Sequence, residues 1–335
     1  MLKAGLIGFG GITGAHINGY KKLFEEKKVQ LVCAYDIEPE AFIKRSQINI
    51  SSANSSTNEN IRTYTDLDEM LTNEELDFVD ICIPSYLHCD MTCDLLKRGY
   101  NVLCEKPMAL NSKDCEKMIA TAKETGKHLM IAQCLRFFPE YQYAKEILDS
   151  KKYGKVLSSF FSRLSPPPIW GWQNWFMDFK RSGGCITDMH IHDIDMARYL
   201  FGEPDAVSSR ATDECSPYAT VQTSLFYGST PITAVGDWTR TGTSFSAGFD
   251  ICLEKATLVL SGGKLTVYPK DGSEPFCPEL DNVDGYTGEI SYFCDIVSEK
   301  TANTRNPATS AAQTVALIEK MIESADNNGE VIELK

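Results

Sequence analysis

A cluster of histidines and aspartates lies near the middle of the chain. The segment SGGCITDMHIHDIDMARYLFG holds two of the five histidines and three aspartates within eight residues. If the segment forms one helix, Asp188, His192 and Asp195 share a face, whereas His190 and Asp193 point elsewhere. Such a face suits proton exchange, with His192 taking a hydroxyl proton and Asp188 orienting the substrate or the imidazole. Metal ligation by the two histidines and a purely structural cluster are the alternatives, and we expect no metal.

A lysine follows a short apolar run that is typical of a strand. The sequence NVLCEKPMAL places Glu105, Lys106 and Pro107 directly after this run. Ligands of open α/β folds bind at the carboxyl edge of the sheet, where a lysine can hold or donate a proton to a substrate oxygen. A solvated surface lysine is the alternative. Upstream, ICIPSYLH brings Ser85 and His88 to the same edge, although His88 could equally cap the next helix.

A glycine-rich turn opens the chain in the sequence GLIGFGGITGAH. Gly8 and Gly10 follow the first apolar run, where a tight turn close to a pyrophosphate requires residues without a Cβ. The helix that follows would offer its N-terminal amides to the anion. Thr13 replaces the third glycine of the dinucleotide-binding motif, with Gly14 beside it.

Asp36 follows the second apolar run and indicates which dinucleotide binds. A carboxylate at this position accepts hydrogen bonds from the adenosine ribose and repels a 2′-phosphate. No arginine or lysine follows in DIEPE. NAD is therefore the expected cofactor, and NADP is disfavoured.

The spacing of apolar runs predicts an α/β protein with two domains. Strands at residues 3–7, 30–35, 78–83, 101–104 and 128–133 alternate with helical segments, which predicts a doubly wound parallel sheet of Rossmann type over residues 1–133. Residues 134–335 add a helix, a strand at 155–164, and strands at 206–211, 219–226, 232–238, 247–253, 257–260 and 265–268. This predicts an α+β domain with a large, open, mainly antiparallel sheet, closed by helices from about 285 and 308. The polar stretch 51–60 reads as a surface loop.

Composition narrows the function classes. Of the 335 residues, 43% are hydrophobic and 24% charged, which is ordinary for a folded protein. A formal net charge of −13 opposes nucleic-acid binding. The N-terminus lacks the features of a signal peptide and no run is long enough for a membrane helix, so we expect a cytoplasmic protein without a membrane partner. The twelve cysteines contain no CxxC pair, and we expect free thiols.

These motifs together resemble the glucose-fructose oxidoreductase and inositol dehydrogenase family (Gfo/Idh/MocA). The resemblance runs from GFGGITGAH through VDICIPSYLH, VLCEKPMAL, QCLRFFPEY and the histidine cluster to GYTGEISYFCDIV. It implies hydride transfer between NAD and a secondary alcohol or ketone of a sugar, inositol or related polyol. It also implies a homo-dimer or homo-tetramer assembled through the open sheet.

The resemblance also assigns roles to residues. Lys106, Asp188 and His192 would be catalytic. The expected cofactor contacts are Gly8, Phe9, Gly10, Gly11, Ile12, Thr13, Asp36, Ile83, Pro84, Ser85, His88, Glu105, Lys106, Pro107 and Gln133. The expected substrate contacts are Arg136, Trp172, Asn174 and His190. In the proline-aromatic loop SPPPIWGWQNWF, Trp172, Asn174 and Trp175 could stack on a sugar ring or could equally plug the core. Thr13 and His190, the latter standing where many members have glycine, depart from the family pattern.

Two other functions fit the same residues. One is a glycosidase that uses bound NAD transiently, and the other is a dinucleotide-binding regulator without catalysis. Lys106, Asp188 and His192 together argue against the regulator, which needs no proton-transfer set.

Overall fold

The first part of the chain alternates short apolar strands with amphipathic helices. The computed structural model describes residues 1–43 and 61–334, so the loop predicted at 51–60 lies outside the described residues. The strands are β1 (Leu2–Ile7), β2 (Val29–Tyr35), β3 (Arg62–Tyr64), β4 (Phe78–Ile81), β5 (Asn101–Glu105) and β6 (Leu129–Ala132). The helices are α1 (Thr13–Glu25), α2 (Leu67–Asn73), α3 (His88–Lys97) and α4 (Ser112–Thr125).

These strands form one parallel sheet in the order β3-β2-β1-β4-β5-β6. The order reverses direction between β1 and β4, and the carboxyl ends of both strands meet there. This is the crevice in which doubly wound sheets bind ligands. The predicted Rossmann sheet is confirmed.

The second part of the chain builds a larger sheet. Its elements are α5 (Pro139–Asp149), β7 (Val156–Leu164), α6 (Phe179–Ser182), α7 (Gly184–Asp188), α8 (Ile191–Phe201), β8 (Ala206–Thr212), β9 (Thr220–Tyr227), β10 (Thr230–Asp237), β11 (Ser246–Leu253), β12 (Ala256–Ser261), β13 (Lys264–Pro269), α9 (Gly285–Val297), α10 (Ala308–Asp326) and β14 (Ile332–Glu333). The eight strands are ordered β13-β12-β11-β7-β10-β9-β8-β14. Only β7 and β10 pair in parallel among these described strands, so the prediction of a mainly antiparallel sheet is confirmed.

Local sequence explains where several helices begin and end. The Asn111 side chain accepts a hydrogen bond from the Asp114 N–H at the start of α4, and Gly126 ends that helix in the left-handed conformation. Asp284 caps α9 in the same way, accepting from the Thr287 N–H at 3.0 Å. Both caps satisfy amides that a helix start leaves unpaired.

Helix α9 lies in the predicted second domain but packs against the first sheet. Its residues Ile290, Phe293 and Cys294 are buried in one core cluster with Leu6 and Phe78 of the parallel sheet. A helix from the end of the chain therefore completes the core of the first sheet, so the two predicted domains share packing. The boundary between residues 133 and 134 stays a prediction.

Candidate active site

The phosphate loop follows β1 directly. Gly8 has a φ of +89°, and a Cβ there would collide with the carbonyl oxygen of Cys82, so only glycine fits. At Gly10 a Cβ would meet nothing within 4 Å, which leaves room for a ligand to approach the backbone. The Thr13 hydroxyl donates a hydrogen bond to the Gly10 carbonyl at 2.6 Å, so the residue that replaces the third glycine holds the turn together.

Asp36 lies at the carboxyl end of β2, beside this loop. Its Oδ2 accepts a hydrogen bond from the Phe9 N–H at 2.7 Å, and its Oδ1 accepts from the Glu38 N–H at 2.9 Å. The carboxylate thus fixes the loop and presents a negative charge at the same edge. With the open approach at Gly10 and the amides of α1, these residues fit a dinucleotide without a 2′-phosphate.

A cleft opens where the carboxyl ends of the first sheet meet the second sheet. Expected site residues that line it are Ile12, Ile83, Ser85, Glu105, Lys106, Asp188 and His192. It is also lined by Cys134, Arg163, Ser165, Pro168, Trp170, Trp175, Phe176, Met189, Trp238, Phe245 and Tyr286. Nucleotide-side and second-domain residues therefore face one space.

Lys106 and Asp188 form the polar centre of the cleft. The Lys106 ammonium donates hydrogen bonds to the Asp188 carbonyl at 2.7 Å and to its Oδ1 at 3.1 Å. Their side chains are 15% and 13% exposed, so the pair is screened from bulk water yet reachable from the cleft. The Lys106–Pro107 peptide bond is cis.

His192 lines the same cleft, and its Nδ1 has no hydrogen-bond partner within residues 1–43 and 61–334. Burial, together with the positive charges of Lys106 and Arg163, holds the pKa of His192 well below its usual range. The imidazole is therefore neutral near pH 7 and can accept a proton.

Arg163 forms part of the far wall of the cleft. Its Nε and Nη2 donate to the two carboxylate oxygens of Asp193 at 3.1 and 3.0 Å. Burial opposes the charge, but the Asp193 carboxylate raises the pKa of Arg163 above its usual range, so the guanidinium stays charged. The sequence offered no sign of this residue in the site, because it lies inside a strand far from the motifs.

Aromatic rings make up the rest of that wall. Trp175 stacks on Phe176 with ring centroids 4.0 Å apart, and Trp170 meets Phe176 edge-on at 4.9 Å. These rings come from the proline-aromatic loop that the sequence indicated. Trp238 and Phe245 come from the β10 to β11 region, where no sequence motif pointed to them.

The predicted single helix at the histidine cluster is wrong in one respect. The segment forms α7 and α8, with a break at Met189 and His190 between them. Asp188 and His192 both reach the cleft across this break, whereas Asp195 does not share their face.

Arg136 binds Asp195 and not the cleft. Its guanidinium donates to both Asp195 carboxylate oxygens at 2.8 and 2.7 Å, and its side chain is 2% exposed. Further bonds reach the Arg305 carbonyl and the Ser310 hydroxyl. The expected substrate role of Arg136 is therefore corrected to a structural one, because its donors are used inside the protein.

His190 is also placed away from substrate. It is fully buried, its Nε2 lies 3.1 Å from the Thr223 hydroxyl, and it packs on Gly236, where an added Cβ would lie 2.9 Å from the His190 Nδ1. The helix break turns this residue toward the large sheet, so the expected substrate contact is corrected to a core position.

Trp172 and Asn174 fall outside the cleft wall. The Arg181 guanidinium lies over the Trp172 ring at 5.5 Å, and Asn174 is exposed on the surface with a φ of +54°. The backbone turn at residues 173 and 174 brings Trp170, Trp175 and Phe176 inward in their place. Of the three loop residues expected to contact a sugar, Trp175 lines the cleft, whereas Trp172 and Asn174 do not.

Several residues that were expected to contact the cofactor lie behind the cleft. His88 is buried with Nδ1 2.7 Å from the Pro107 carbonyl and Nε2 2.9 Å from the Ile83 carbonyl, so it joins two loops of the sheet edge. Burial lowers the pKa of His88. Gln133 is 2% exposed, and Phe9 packs against Phe42. Gly11 lies in the phosphate loop after β1 and Pro84 in the loop after β4, and both are half-buried.

Comparison with known proteins identifies the class and then the family. A family model for an oxidoreductase family with a NAD-binding Rossmann fold matches residues 2–133, and a GFO/IDH/MocA C-terminal domain matches residues 141–259. Residues 2–133 therefore match the NAD-binding Rossmann domain of an oxidoreductase family. The chain belongs to the Gfo/Idh/MocA family, as the motifs indicated.

Sequence relatives include two named enzymes. The chain is 30% identical over 217 residues to the 2,7-anhydro-N-acetylneuraminate hydratase of Escherichia coli K12, covering 62% of this chain and 52% of that protein. It is 32% identical over 149 residues to the inositol 2-dehydrogenase of Rhizobium meliloti, covering 44% of this chain and 42% of that enzyme. The matched part thus spans about half the length, or less, of these relatives.

Solved structures share the fold over the full chain. An oxidoreductase from Agrobacterium radiobacter in complex with NAD+, L-tartaric acid and magnesium has a TM-score of 0.81 and 21% identity, covering 99% of this chain and 98% of that one. Levoglucosan dehydrogenase in complex with NADH and levoglucosan has a TM-score of 0.81 and 19% identity, covering 99% of both chains. At these identities the likeness describes the fold alone.

Proposed function

We propose that this protein transfers a hydride between NAD and a secondary alcohol or ketone of a sugar, inositol or related polyol. The observation that carries the proposal is the convergence of Lys106, Asp188 and His192 in one cleft beside the phosphate loop. The similarity to an inositol 2-dehydrogenase supports the substrate class.

In this mechanism the protein residues handle the proton and the developing charge. NAD, when bound, supplies the acceptor for the hydride. His192 is neutral and lines the cleft, so it takes the hydroxyl proton of the alcohol. Lys106 donates a hydrogen bond to the same oxygen and stabilises the charge that builds there, and Asp188 orients the Lys106 ammonium. Ketone reduction uses the same groups in reverse.

The aromatic wall supports a ring-shaped substrate. Trp170, Trp175 and Phe176 line the same cleft as Lys106 and Asp188. A sugar or inositol has apolar C–H faces and polar hydroxyl edges, and this wall complements both.

Removing Lys106 or His192 tests the catalytic assignment. We expect Lys106→Ala and His192→Ala to lower kcat for polyol oxidation by about 10²- to 10⁴-fold, the usual contribution of acid–base catalysis. NADH should still bind to both variants in a fluorescence titration, because the phosphate loop is intact, and the Kd of His192→Ala should stay within about threefold of the wild type. Substantial turnover in either variant would reject the assignment.

A second candidate uses NAD without releasing it. The similarity to a hydratase that acts on an anhydro sugar favours retaining the transient-redox alternative, in which a sugar is oxidised and then re-reduced during elimination. A panel of inositols, sugars and polyols separates the two functions, since free NADH accumulates only with a dehydrogenase. Cleavage of an aryl glycoside without net NADH would support the alternative.

We also propose the division of labour between the two halves of the chain. Residues 1–133 would bind the cofactor, and residues 134–335 would bind the substrate and form a homo-oligomer. Among the residues that the structure describes, no helix is long and apolar enough to cross a membrane.

A further inference from the structure

A buried imidazole joins the helix after the phosphate loop to the strand that ends next to Lys106. His16 belongs to α1 and has no exposed surface. Its Nδ1 lies 2.8 Å from Asp80 Oδ2, and its Nε2 lies 2.9 Å from Glu105 Oε1. Both ring nitrogens face carboxylate oxygens, which accept hydrogen bonds, so the geometry calls for a ring with hydrogen on both nitrogens.

Glu105 uses its other oxygen to hold the catalytic segment. Its Oε2 accepts a hydrogen bond from the Lys106 backbone N–H at 3.0 Å, while the Lys106 ammonium reaches Asp188 in the cleft. One carboxylate therefore connects His16 to the residue that stabilises the reacting oxygen in the proposed mechanism.

The groups around the Nδ1 side favour a charged ring. The Tyr20 hydroxyl donates to Asp80 Oδ2 at 2.9 Å, and the Cys82 sulfur lies 3.7 Å from His16 Nδ1. Burial opposes the charge, but Asp80 and Cys82 together raise the pKa of His16 well above its usual range.

Glu289 of α9 completes the Nε2 side. His16 Nε2 and carboxylate oxygens of Glu105 and Glu289 all lie within 4.8 Å of one another, and the Tyr286 ring packs beside His16 at 5.8 Å. Glu289 is fully buried, and within the described part of the chain neither of its carboxylate oxygens has a hydrogen-bond partner. Burial raises the pKa of Glu289 well above its usual range, which favours the neutral carboxylic acid.

We propose that His16 is a positioning residue that, with hydrogen on both ring nitrogens, holds Asp80 and Glu105 and thereby fixes the Lys106 backbone relative to the phosphate loop. Glu289 is the neutral neighbour that leaves the imidazolium shared between two carboxylates. The expected effect on catalysis rests on the proposed function, but the protonation state of the His16 ring can be measured without an activity assay.

The kinetic test compares His16→Gln and Glu105→Gln with the wild type. Each glutamine keeps the approximate shape of the side chain but can maintain only one of its two hydrogen bonds. We expect kcat for polyol oxidation to fall about 10- to 100-fold, because small displacements of a positioned catalytic group have effects of this size. The Kd of the His16→Gln variant for NADH should stay within about threefold, because His16 is fully buried and does not line the cleft. A lower melting temperature with unchanged kcat would overturn the proposal, since a purely structural role predicts that result.

Glu289→Gln is the matched variant that tests whether the Glu289 side chain is neutral. A neutral amide replaces a neutral acid of the same shape, so kcat and melting temperature should stay close to the wild type. If Glu289 were instead an ionised ligand of a divalent cation, the substitution would release that cation. Elemental analysis of the purified wild type that finds one equivalent of metal, lost in Glu289→Gln, would overturn the proposal.

Nitrogen-15 NMR of histidine-labelled protein tests the ring itself. The chain has five histidines, and the His16→Gln spectrum assigns the His16 signals by their absence. We expect both His16 nitrogens to show protonated shifts at pH 8, where an ordinary histidine is neutral. A neutral His16 would overturn this inference whether or not a polyol substrate is found, whereas a protonated ring in a protein inactive with every polyol would count against the proposed function alone.

Discussion

Asp36 has two separable effects on cofactor binding. Its carboxylate accepts hydrogen bonds from the Phe9 and Glu38 amides, and its charge opposes a 2′-phosphate. We expect Asp36→Ala to shift the ratio of NADP to NAD affinity by about tenfold or more toward NADP, equivalent to about 1.4 kcal/mol. Fluorescence titration with NADH and NADPH measures the ratio.

Asp36→Asn is the control for that substitution. The amide keeps an oxygen acceptor for the loop but removes the charge, so it should shift the same ratio while weakening NADH less than alanine does. If alanine and asparagine both leave the ratio unchanged, the ribose contact has been misplaced.

His192 predicts an unusual pH profile for the reaction. Its pKa is lowered by burial and by Lys106 and Arg163, so the neutral ring persists as the pH falls through 6.5. Alcohol oxidation requires this neutral base. We therefore expect kcat/KM for polyol oxidation to stay level through pH 6.5 and to fall only at lower pH. NADH binding over the same range is the control, and an acidic limb centred at or above 6.5 would contradict the assignment.

At the scale of secondary-structure elements, the sequence predicted the positions of the motifs better than it predicted the helix at the histidine cluster. Lys106 was found because a strand end has a fixed place in an α/β sheet. The single helix through Asp188, His192 and Asp195 was wrong because the chain breaks at Met189 and His190, and periodicity alone does not register a break of two residues. Trp238, Phe245 and Tyr286 could not be found, since they reach the cleft only through tertiary packing.

The Arg136–Asp195 pair links three elements instead of binding substrate. It joins the turn Cys134–Phe137 to α8, and Thr314 of α10 donates to Asp195 at 2.9 Å. Removing one partner leaves a buried charge, so Arg136→Ala should lower the free energy of unfolding by about 3 to 5 kcal/mol. Chemical denaturation measures this change.

The double variant Arg136→Met/Asp195→Leu is the matched control. Because it removes both charges and retains apolar volume, it should recover most of the lost stability. The KM for the polyol should stay unchanged in the double variant. A raised KM without loss of stability in Arg136→Ala would restore the substrate role that the sequence suggested.

For the whole molecule, fold class followed from the sequence, whereas the packing between its halves did not. Apolar runs that alternate with helical segments indicate a parallel sheet, whereas apolar runs that follow one another directly indicate an antiparallel sheet. These runs do not indicate which distant helix covers which sheet. Helix α9 packs into the core of the parallel sheet through Ile290 and Phe293. The two halves of the chain therefore share one core beside the cleft.

The outer face of the large sheet carries the last prediction. Phe160 of β7 is 43% exposed, Phe226 of β9 36% and Tyr268 of β13 44%, each next to a buried residue of the opposite face. Phe160 lies near the centre of the sheet, paired with Thr233 and Asp250 of the adjacent strands. Exposed aromatic residues across one sheet face are typical of a surface that is covered by another copy of the chain.

We expect the purified protein to be a homo-dimer or homo-tetramer that Phe160→Asp converts to monomers, because the substitution places a charge at the centre of an apolar contact. Light scattering coupled to size-exclusion chromatography at micromolar concentration measures the mass. Phe24→Asp is the matched control, since Phe24 is 47% exposed at the end of α1 and away from this sheet. A monomeric wild type, or dissociation by Phe24→Asp as well, would show that the exposed sheet face is not the assembly surface.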